Sequence, residues 1–128
     1  MKQTIILCTL AFIFFQCKHE VTTSPKPVPA SVFRIDLQSG FSNTPVVVYV
    51  DQSQVFADTV STNYSVAVAA IIPVQINQGI HTLGIVIPNS VSKDTSFLVP
   101  DSLYVGVGYS ALNGTIDFVF WHRPFPYR

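Results

Sequence analysis

After residue 17 the chain contains no cysteine. No disulfide and no cysteine-based metal site can therefore hold the downstream region together, and packing and hydrogen bonds must do so. Charge is scarce as well. Seven Lys plus Arg stand against seven Asp plus Glu, 11% of the residues in all, with a net charge of zero. Such a balance provides no basic footprint for nucleic acid. At 48% hydrophobic the chain is equally far from the composition of a disordered protein. The longest apolar stretch, Ile5 to Phe15, is about half the roughly 20 residues a helix needs to cross a hydrocarbon layer. Its length allows one domain and no second core.

The motifs of common enzyme classes are missing too. There is no His-Glu-x-x-His, no Gly-x-Ser-x-Gly and no phosphate-cradling loop ending in Gly-Lys-Ser/Thr. Gly106-Val107-Gly108 lies within an alternating strand pattern with no helix after it, so its glycines are expected to relieve a bulge or admit a neighbour's side chain. The histidines at 19, 81 and 122 lack metal-ligand spacing, and no metal or cofactor is expected. A Ser-His-Asp arrangement has its residue types but nothing in the sequence to order them. The expectation is a protein that is not an enzyme.

What is present begins with Lys2, the apolar run Ile5 to Phe15, Gln16-Cys17, and then polar Lys18-His19-Glu20, the order of an export signal. Ile13-Phe14-Phe15-Gln16-Cys17 resembles the modification site of bacterial lipoproteins, in which a cysteine directly after the apolar region is diacylated and becomes the first mature residue. The resemblance implies a signal peptide over residues 1–16, lipidation at Cys17, a membrane as partner through that anchor, and residence in the bacterial cell envelope. The alternative is an ordinary signal with an incidental cysteine. Residues 17–31 carry prolines at 25, 27 and 29 and read as a tether between lipid and domain.

From Val32 to Arg128 the hydrophobic period is two. Phe33, Ile35 and Leu37 alternate with Arg34 and Asp36, which predicts a strand with one wet face. Val46 to Val50 reads as a central strand covered on both sides. A loop at Asp51 to Gln54 leads into Val55 to Val60. The alanines of Ser65 to Ile76 would suit a short helix, but Pro73 breaks any helix there, and the segment is expected to be a strand with a bulge or a change of sheet at Pro73. His81, Leu83, Ile85 and Ile87 share a face, Thr95 to Val99 forms a short strand, and Leu103, Val105, Val107 and Tyr109 alternate before Asn113-Gly114, which predicts a type I′ turn. Thr115 to Trp121 returns with Ile116, Phe118 and Phe120 on one face.

Seven or eight short strands with turns about every ten residues predict an all-β fold, a single antiparallel β-sandwich over residues 32–128. In strand number and length it resembles immunoglobulin-like (Ig-like) and transthyretin-like envelope modules. The carboxyl end, Trp121-His122-Arg123-Pro124-Phe125-Pro126-Tyr127-Arg128, concentrates the residue types that dominate binding hot spots. Trp121, Arg123, Phe125, Tyr127 and Tyr104 are thus the candidate binding surface, for an envelope protein or, alternatively, for a carbohydrate stacked on the aromatics. The structural alternative is a tail that folds back over the open end of the sandwich.

Overall fold

A computed structural model describes residues 30–127. Cys17 and the tether prolines lie outside them. Eight strands follow in order: β1 (Ala30–Leu37), β2 (Thr44–Val50), β3 (Ser53–Val60), β4 (Ala70–Asn77), β5 (Gly79–Ile87), β6 (Val91–Val99), β7 (Ser102–Ser110) and β8 (Thr115–Trp121). They form two four-stranded sheets, β4-β1-β7-β8 and β3-β2-β5-β6. The protein is a β-sandwich. Its core is the set of inward positions that the period of two marks out: Phe33, Ile35 and Leu37 of β1, Val46, Val48 and Val50 of β2, Leu83, Ile85 and Ile87 of β5, and Leu103, Val105 and Val107 of β7. Each fully buried large side chain contributes about 1.5–3 kcal/mol.

The chain repeatedly changes sheets. β1 and β2 belong to opposite layers, in contrast to the ABED and CFG sheets of immunoglobulin constant domains, so the likeness to those modules is one of architecture. One pairing departs from the expected antiparallel rule, because β1 and β7 run parallel. Parallel neighbours need a long crossover, and here the five intervening strands, β4 and the whole of the other sheet, supply it.

Local chemistry explains three further departures. The two-residue hairpin turn is Asp51-Gln52, whose φ values of 50° and 69° are those a type I′ turn demands. Asp51 tolerates this because its carboxylate accepts hydrogen bonds from His81 and from the Thr82 amide. At Asn113-Gly114 only the glycine has positive φ, and a four-residue loop closes through a hydrogen bond from the Gly114 amide to the Ser110 carbonyl. Of the segment expected as a strand from Ser65, residues 64–67 form a turn and β4 starts at Ala70; Pro73 sits in regular register opposite Arg34, and the change of sheet comes later, at Gln78. Because β4 is an edge strand, proline is tolerated there. β2 is central as predicted, but Val47 and Tyr49 on its outer face are half-exposed rather than covered.

All four edges are blunted, as isolated sandwiches require. β4 has Pro73, and β3 carries a bulge that leaves Val55 without a partner on β2. β6 and β8 are tied across the layers, with Lys93 Nζ donating to the Ile116 carbonyl at 2.9 Å and lying over the Phe118 ring.

Candidate functional site

The outer face of the β4-β1-β7-β8 sheet gathers the residues that the sequence singles out. Tyr104 of β7 stands directly opposite Trp121 of β8 in the antiparallel register. After Trp121 the chain turns back across this face. Phe125 stacks on Trp121 at 5.0 Å, Tyr127 follows Phe125 at 6.4 Å, and the Arg123 guanidinium lies 5.6 Å from the indole centre. The tail thus folds back, over the outer face of the sheet rather than over the open end of the sandwich. All five candidate residues fall within this one layer. Trp121, Phe125, Tyr127 and Tyr104 are half-buried, and Arg123 is exposed.

Asp36 anchors the layer. It belongs to the outward-facing positions of β1, which the alternation marks as wet, yet its side chain has 0% exposure. The Arg34 guanidinium forks onto it, Nε to Oδ1 and Nη2 to Oδ2, both at 2.7 Å. The Tyr127 hydroxyl donates to Oδ2 at 2.6 Å and accepts from Gln38 Nε2 at 3.0 Å. Arg34 in turn lies 5.0 Å from the Tyr104 ring centre. Burial, reinforced by the adjacent carboxylate, pushes the Tyr127 phenol up to about 12. The hydrogen bonds to Asp36 hold the Arg34 guanidinium charged more firmly than usual.

Gly106 makes room for this network. A Cβ there would come within 2.5–2.8 Å of the Gln38 amide, so this glycine admits a neighbour's side chain, one of the two roles expected of it. Sequence reasoning missed Arg34, Asp36 and Gln38 as parts of the site. The one signal was the Arg34-x-Asp36 spacing, which puts opposite charges on the same face of a strand.

The second polar cluster is Asp51 and His81. His81 Nδ1 lies 2.6 Å from Asp51 Oδ2, and Nε2 lies 2.8 Å from the Asn77 carbonyl oxygen. Both ring nitrogens therefore face acceptors, which suits the protonated ring. Burial opposes that charge, but the hydrogen bond to Asp51 and the contact with the Asn77 carbonyl outweigh it and raise the pKa above the ordinary 6.5. Burial likewise opposes ionisation of Asp51, and the bonds from His81 and Thr82 outweigh it, bringing the carboxyl below 3.8. In a catalytic triad the far nitrogen must be open to a nucleophile; here a backbone carbonyl occupies it. Among the described residues no three His, Cys, Asp or Glu side chains converge as metal ligands.

A third feature lies on the opposite outer face, that of the β3-β2-β5-β6 sheet. Tyr49, Gly84 and Asp94 form one row across β2, β5 and β6, and a groove of about 510 Å³ opens above them, flanked by Gln52, Thr82 and Ser96. Compared with protein-family models, with curated proteins and with solved structures, the chain matches none.

Proposed function

We propose that the chain is a non-enzymatic lipoprotein of the bacterial envelope, held on a membrane through Cys17, whose sandwich docks an envelope protein partner. The observation that carries this reading is the preassembled aromatic and basic layer of the β4-β1-β7-β8 sheet. Phe125 is already stacked on Trp121, the Tyr127 hydroxyl is bonded to Asp36, Tyr104 lies against the Arg34 guanidinium, and the exposed Arg123 rests on the indole. Residues fixed before binding lose little entropy on association, which favours them as anchors. A carbohydrate platform, the alternative, needs an open aromatic face, and Trp121 is engaged by both Phe125 and Arg123. This arrangement favours a protein partner.

Two experiments test the reading. Cys17→Ser is expected to move the protein out of salt-washed membranes, and retention there overturns the lipid anchor. A photo-crosslinking residue at position 123 is expected to give one discrete adduct in intact cells, lost on Phe125→Ala. The same residue at position 112, where Leu112 is 94% exposed in the β7–β8 loop, serves as control. Equal adducts at both positions, or an adduct indifferent to Phe125→Ala, overturn the docking layer.

A further inference from the structure

The two outer faces of the sandwich contain related arrangements, and only one of them is filled. On the β4-β1-β7-β8 sheet, Tyr104 and Asp36 project from adjacent strands, and Arg34 occupies the space they define, its guanidinium against the ring and forked onto the carboxylate. On the β3-β2-β5-β6 sheet, Tyr49 and Asp94 project from strands on either side of β5, and the residue between them is Gly84. A Cβ built on Gly84 would lie 2.9 Å from Asp94 Oδ1 and 3.7 Å from Tyr49 Cβ. Tyr49 and Asp94 thus flank Gly84, whose bare backbone lets the carboxylate lean in at the floor of the groove. Among the described residues Asp94 has no ion pair. The neighbouring Lys93 points the other way, onto the Ile116 carbonyl. No Lys or Arg occurs among the residues lining the groove.

We infer that this groove is a second binding site, which receives an arginine side chain from an extended protein segment, its guanidinium stacked on Tyr49 and forked onto Asp94. Charge complementarity selects the occupant. An unpaired carboxylate beside an aromatic ring, with hydroxyls and an amide around it, satisfies the flat face and the in-plane donors of a guanidinium together. The chain's own Arg34 shows the same chemistry realised on the other sheet. The site is independent of the tail layer, since the two lie on opposite faces of the molecule.

The test uses the full chain, ¹⁵N-labelled in detergent micelles and titrated with acetyl-Gly-Arg-Gly-amide. Saturable shifts centred on the amides of Gly84, Asp94 and Ser96 are expected. The citrulline peptide, neutral and nearly the same shape, should give none. Asp94→Asn should weaken binding by about tenfold through loss of the charged acceptor, and Tyr49→Leu by about fivefold through loss of the ring. Asp94 is exposed, so its variant is expected to keep the remaining amide spectrum unchanged. Gly84→Ala, whose Cβ would displace the Asp94 carboxylate, should weaken binding as well. Equal binding of the citrulline peptide, an unaltered affinity in Asp94→Asn, or shifts produced by maltotriose instead would overturn the assignment. Tail variants such as Phe125→Ala should leave this titration unchanged, so failure of the groove and failure of the tail layer are told apart.

Discussion

Gly40 shows how much a single position can demand. Its φ is 93°, and a Cβ there would fall 1.6 Å from the Tyr109 carbonyl oxygen, a backbone atom that has no room to retreat. Gly40→Ala is expected to cost at least about 3 kcal/mol, read as a lowered denaturation midpoint. Gly106 is close-packed too, but against the end of the Gln38 side chain, which can swing aside at the expense of its bond to Tyr127, so replacement by alanine should cost less. Asp36 concentrates the energetics of the tail layer. Tyr127→Phe removes one hydrogen bond to a buried carboxylate and should cost about 1–2 kcal/mol. Asp36→Ala leaves Arg34 without its partner and should cost about 3 kcal/mol, moderated because Arg34 retains 23% exposure. An Asp36→Ala variant as stable as the parent would mean that the network adds nothing to the fold.

At the scale of elements, Asp51 and His81 fasten the β2–β3 turn to β5. The raised pKa of His81 means that its contribution is fully present below about 6.5 and is lost as pH rises through the higher folded value. The lowered pKa of Asp51 means that its contribution is present above 3.8 and is lost as pH falls through the lower folded value. Together the two stabilise the hairpin most between those limits. Thermal midpoints of the parent are therefore expected to fall as pH rises above about 6.5, and to fall less in His81→Gln. An identical pH profile in the variant would show that the pair is electrostatically silent.

For the whole molecule, one core joins both sheets, and the β6 and β8 edges are tied by Lys93 and by the Phe97–Phe120 stack at 6.0 Å. Unfolding should accordingly be a single transition. Trp121, the sole tryptophan, sits under the tail, so its fluorescence reports that layer while far-ultraviolet dichroism reports the sheets. The two signals are expected to change together in urea. An earlier loss of the fluorescence signal would show that the tail detaches before the sandwich melts.

The period of two and the turn residues were enough to read an all-β sandwich and most of its buried positions, because burial of alternate side chains is a local consequence of strand geometry. The hot-spot composition of Trp121 to Tyr127, and Tyr104 with it, was legible for the same reason: composition needs no partner to be recognised. Pairing was not. That β1 lies parallel to β7, that Asp36 is buried beneath Tyr127 91 residues away, and that Tyr49 and Asp94 flank Gly84 all depend on contacts between distant segments. Strand patterning fixes which face of a residue turns inward, and only the packed structure decides what covers the face that turns outward.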